Sequence, residues 1–60
     1  MQSKTHTELS LGVFVINKKR NDWGIGQIQS SIGDKITINF EHVGKKAINI
    51  QNIYLKVIKI

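Results

Sequence analysis

Cysteine is missing from this sequence, so neither a disulfide framework nor a thiolate metal site can supplement its core. The same absence makes an intracellular, cytoplasmic setting the natural expectation. No apolar run approaches membrane-spanning length, and Met1 to Glu8 lacks the apolar centre of a signal peptide. Acids are scarce too: four Asp and Glu stand against nine Lys and Arg, a formal charge of +5 in 60 residues. That balance favours polyanionic or acidic partners, or serves solubility alone. A chain this short makes one domain that buries only about 60% of the surface its unfolded form exposes.

What the chain does have is alternation. From Trp23 to Phe40 it reads W-G-I-G-Q-I-Q-S-S-I-G-D-K-I-T-I-N-F, with the single tryptophan and three of the five glycines. Ile36, Ile38 and Phe40 fall on one face of a strand, with Thr37, Asn39 and Glu41 on the other. Before them Ile28, Ser30 and Ile32 alternate with Gln27, Gln29 and Ser31, which predicts a hairpin turning at Gly33-Asp34. Parity constrains that turn. A strict two-residue loop opposes Ile36 to Ser31, so uniting Ile28 and Ile32 with Ile36 and Phe40 requires the loop Gly33-Asp34-Lys35 or a bulge.

Met1 to Glu8 is polar and aperiodic and reads as a flexible tail; residues 9–60 form the domain. Leu9 to Gly12 leads into Val13-Phe14-Val15-Ile16, a β-branched and aromatic strand whose apolar density suggests contacts on both faces. Asn17 to Asp22 is a charged loop. Gly24 and Gly26 suit a bent strand that passes close to another backbone. A second turn at His42-Val43-Gly44, with glycine at the left-handed position, pairs Ile38 with Ile48 and Ile36 with Ile50. Gln51-Asn52 interrupts as a short or 3₁₀ turn, and Tyr54 to Ile58 is the last strand. Five short strands without a convincing helix would leave long edges as a flat sheet. The expected fold is therefore all-β, a small five-stranded SH3-like (Tudor-like) barrel, with an OB-like barrel as the alternative. Val15, Ile28, Ile36, Ile38, Phe40, Ile48 and Ile50 are the expected core.

The run Trp23-Gly24-Ile25-Gly26-Gln27-Ile28-Gln29-Ser30, followed by Ile36-Thr37-Ile38-Asn39-Phe40-Glu41-His42 and Gly44-Lys45, resembles a family of short bacterial domains of unknown function. The likeness runs from about Leu11 to Val57. More distantly, Gly12-x-x-Val15 and Gly24-x-Gly26-x-Ile28 resemble CarD-like barrels and the Tudor-like C-terminus of UvrD-type helicases. That resemblance implies a role with RNA polymerase or in nucleic-acid processing. Two departures stand out: Asn17 occupies a position where CarD-like barrels carry histidine, and the loop before Trp23 is longer and more basic.

An enzyme is not expected. Glu8, Asp22, Asp34 and Glu41 show no paired arrangement. His42 has no nucleophile or orienting carboxylate at a motif spacing and reads as a turn residue. His6 and His42 fall at no standard metal-ligand spacing. Gly24-x-Gly26 lacks the third glycine and following helix of a phosphate loop. No cofactor or metal is expected. The candidate binding residues are Lys18, Lys19, Arg20, Trp23, Lys45 and Lys46, a basic run and a lysine pair around an aromatic. Trp23 is either a core aromatic or a half-exposed platform for a base or partner side chain. Two functions stay open: contact with DNA or RNA through these residues, or docking onto a nucleic-acid machine such as RNA polymerase without touching nucleic acid.

Overall fold

Five antiparallel strands in a single sheet make up this computed structural model, which describes residues 9–52 and 54–59. The tail expected over Met1 to Glu8 lies outside the described residues. The strands are β1 (Phe14–Asn17), β2 (Gly26–Ile32), β3 (Lys35–Phe40), β4 (Gly44–Asn49) and β5 (Leu55–Ile58). Single 3₁₀ turns cover Asn21–Trp23 and Ile50–Asn52, the second of them where Gln51-Asn52 was expected to break the pattern. Across the sheet the order is β4-β3-β2-β1-β5. β4 and β5 are its two edges, so among the described residues hydrogen bonding does not close the sheet into a barrel.

One face carries the core. Val15, Ile28, Ile36, Ile38 and Phe40 are buried as expected, with Leu9 beside them. Val13, Trp23, Ile48, Ile50, Leu55 and Val57 pack around this cluster and are partly buried. Ile48 and Ile50 are therefore border residues rather than full members of the core.

The first hairpin takes the bulge alternative rather than the three-residue loop, and the second corrects the expected register. The β2–β3 loop is the strict two-residue Gly33-Asp34, with Ile32 opposite Lys35 and Ser31 opposite Ile36. A bulge between Ile28 and Ser30 then shifts the pairing, so that Ile28 lies opposite Ile38 and Gly26 opposite Phe40. The bulge option met the parity constraint for Ile28 but left Ile32 on the wrong side of it, 76% exposed.

The second turn is Glu41-His42-Val43, one residue earlier than expected. Ile36 pairs with Ile48, Ile38 with Lys46, and Phe40 with Gly44. Gly44 does hold a left-handed φ of 77°, but as the first residue of β4. Competition for backbone partners accounts for the shift. The Glu41 and His42 amides donate to the carbonyls of Ile25 and Trp23, at 2.9 and 3.1 Å, and so leave the β3–β4 ladder. Ile50 donates to the Asp34 carbonyl at 2.7 Å, where the expected register needed it opposite Ile36.

Candidate nucleic-acid interface

The loop that presents the basic run is built from backbone chemistry. At the end of β1, Asn17 points inward and is buried. Its side-chain oxygen accepts the amides of Lys19 and Arg20 at 2.9 and 3.2 Å, an Asx-type turn that reverses the chain. The Lys18 amide donates to the Tyr54 carbonyl at 2.7 Å, anchoring the loop to the segment before β5. The 3₁₀ turn follows, with Trp23 donating to the Arg20 carbonyl at 3.0 Å. The loop is thus held at its base and in its middle while its cationic side chains stay exposed.

Beyond it lies a clasp. Ile25 donates its amide to a Glu41 carboxylate oxygen at 2.9 Å, adding to the two backbone bonds from Glu41 and His42. Gly24 has a φ of 80°, and a Cβ there would meet His42 Cδ2 at 2.7 Å and Glu41 Oε1 at 2.8 Å. A Cβ on Gly26 would meet Ile38 Cγ2 at 2.5 Å and the Phe40 ring at 2.6 Å. The W-G-x-G run and the F-E-H run therefore interlock, which explains glycine at both positions. Glu41 and His42, dismissed above as catalytic groups, are the other half of this clasp.

Trp23 leaves the clasp half-buried, its ring in edge contact with Phe40 at a centroid distance of 5.1 Å and an angle of 63°. The Arg20 guanidinium lies over the indole at 5.2 Å, and the Lys46 ammonium does so at the same distance. Two cations distant in sequence thus meet on one aromatic ring, each attracted by its negative π face. Lys46 reaches the ring from a half-buried position opposite Ile38, on the inner face of the sheet.

The other candidates divide. Lys19 places its ammonium over Tyr54 at 4.2 Å, an aromatic partner the sequence reading did not assign. Lys18 is exposed. Lys45 pairs with Asn39 on the opposite face of the sheet from Lys46, so the two lysines are not brought together on one face. Gln27, also on that outer face, donates to the Gly12 carbonyl at 3.3 Å, whereas Gln29 sits in the bulge.

Asp22 is the other residue overlooked. Its two carboxylate oxygens accept from Arg20 Nε and Nη2 at 3.2 and 3.1 Å. These hydrogen bonds hold the Asp22 carboxyl below its usual range and push the Arg20 guanidinium higher still. Both partners are exposed, so the pair adds little to stability. Among the described residues no three His, Cys, Asp or Glu side chains gather as a metal set, and no helix is long and apolar enough to cross a membrane.

The family described as "Protein of unknown function (DUF3553)" matches residues 9–58, and the chain belongs to it. The match spans both the clasp and the cationic site. No curated protein and no solved structure matches the chain.

Proposed function

We propose that this domain is a non-catalytic binding module for nucleic acid, working in the bacterial cytoplasm and gripping the phosphate backbone with Arg20 and Lys46. The convergence of those two cations on Trp23 carries the reading. A charge of +5 would add long-range attraction to a polyanion. Because cations already engage the indole, its role is to hold them in place, and base stacking is secondary. For the fold we favour the SH3-like (Tudor-like) class. An inner face buried with no α-helical layer among the described residues fits a sheet that curls on itself, and so does β1 lying between β2 and β5.

Fluorescence titration of labelled single-stranded and duplex oligonucleotides over a salt series tests this. Replacing Arg20 and Lys46 by Gln should weaken binding and flatten the logarithmic salt slope, by roughly 0.7 per lost contact on single strands and 0.9 on duplex. Lys45→Gln, on the far face, should change the slope less. No binding by the native protein even at low salt would remove the reading.

Docking onto a nucleic-acid-processing protein such as RNA polymerase is the second reading. Two sheet edges without a partner strand among the described residues support it, as does an open groove of about 530 Å³ on the outer face, lined by Phe14, Gln27, Asn39 and His42 among others. An added strand could pair with either edge. A partner captured this way should survive nuclease treatment and should be insensitive to Arg20→Gln.

A further inference from the structure

We propose that Asp22 is an internal stand-in for phosphate: in the free protein it occupies the edge of Arg20 that a phosphodiester takes on binding. This rests on the nucleic-acid reading above and specifies its chemistry, a sugar-phosphate backbone recognised without its bases. The guanidinium fork matches carboxylate and phosphate alike, because both offer two oxygens at the spacing of two parallel N–H donors. Asp22 already uses that geometry, with one oxygen on Nε and the other on Nη2.

Three further observations make the exchange feasible. The carboxylate and guanidinium are 66% and 55% exposed, so water replaces the bond at little cost. The guanidinium also rests over Trp23, and this second support keeps it in place when the carboxylate leaves. Lys46 supplies a positive charge over the same ring and has no carboxylate of its own among the described ion pairs.

The other described acids do not compete. Glu41 is committed to the Ile25 amide, and Asp34 lies in the β2–β3 turn. An isolated anion gains little by replacing Asp22, since it exchanges one ion pair for another. A polymer gains more, because it carries further phosphates for Lys46 over the same ring, and each neutralised phosphate releases counterion. Asp22 therefore selects for a chain of phosphates over single anions.

The test titrates a labelled oligothymidylate and an abasic sugar-phosphate oligomer of equal length, at several salt concentrations. Asp22→Asn should tighten both by about two- to five-fold, the range set by an exposed ion pair, and steepen the slope by up to about 0.7. In an Arg20→Gln background the same change should give no gain. Circular dichroism melting of each variant confirms that the fold is kept. Equal or weaker binding by Asp22→Asn overturns the proposal and makes Asp22 a positioning residue for Arg20. A gain that persists without Arg20 also overturns it, since Asp22 would then act only as a distant charge. Binding of the oligothymidylate but not the abasic chain rejects phosphate as the recognised group while leaving nucleic-acid binding intact. Failure of both native protein and Asp22→Asn to bind either chain removes the nucleic-acid reading itself.

Discussion

Ile28 and Ile32 lie on the same strand, four residues apart, with the same alternation around them, yet one is 2% exposed and the other 76%. Ile28 belongs to the clasped end of the hairpin. There Gly26 meets Phe40, Ile28 meets Ile38, and the segment from Trp23 to Ile25 is bonded to Glu41 and His42. Ile32 belongs to the tip, where a two-residue turn sets the pairing. The two ends demand registers that differ by one residue, and the bulge at Gln29 absorbs the difference. Side-chain period does not carry through such a bulge, so alternation predicts faces only on one side of it.

The largest effect should come where the clasped end meets the sheet. Ile38 is fully buried and lies opposite Ile28 on one side and Lys46 on the other. Truncation to Ala removes three carbons from a small core and leaves a cavity, which should cost on the order of 2–5 kcal/mol. Chemical denaturation would measure it, and a loss below about 1 kcal/mol would mean that the strand faces are reversed.

Gly26→Val comes next. Valine favours strands by propensity, but the new Cβ would sit 2.5 Å from Ile38 and 2.6 Å from Phe40. Overpacking of this kind should cost about 1–3 kcal/mol. A rise in thermal midpoint would show that the clasp has room to spare, and the contrast with the tip would lose its physical basis.

How far the sequence announced this arrangement depends on the range of the interaction. Strand identity was legible from alternation in β2 and β3 and from a β-branched, aromatic run in β1, and Gly26 was legible because a strand glycine has few other reasons to exist. The second turn was only half legible. Gly44 supplies a left-handed φ whether it ends the loop or begins β4, so local chemistry could not separate the two registers. The bonds from Glu41 and His42 back to residues 23–25 decided it, and those close over a long sequence separation. The site shows the same division. Arg20 and Trp23 are neighbours in sequence, but Lys46 joins them only through the pairing of β3 and β4, in a register offset from the expected one. Asn17 was legible in principle, since asparagine at a strand end before a basic turn is Asx-turn chemistry. Its place in a distant family pattern drew notice instead.

The smallest effect should be at Ile32, and it sharpens the comparison most. At 76% exposure opposite Lys35, its side chain gains little from folding, so Ile32→Thr should change stability by no more than about 0.5 kcal/mol. Threonine keeps the β-branch, so strand propensity barely moves and the measurement reports burial alone. The competing register, with Gly33-Asp34-Lys35 as the loop, pairs Ile32 with Ile36 and needs no bulge. In that register Ile32 would reach the core, and its replacement by threonine would bury a hydroxyl and remove a methylene-sized group. A loss of about 2 kcal/mol or more would therefore show that the hairpin populates the unbulged register in solution. Amide exchange supplies an independent reading, since the two registers give the residues from Gln29 to Lys35 different hydrogen-bond partners. Protection that is lost at Gln29 but kept on both sides of it would place the bulge where the pairing puts it.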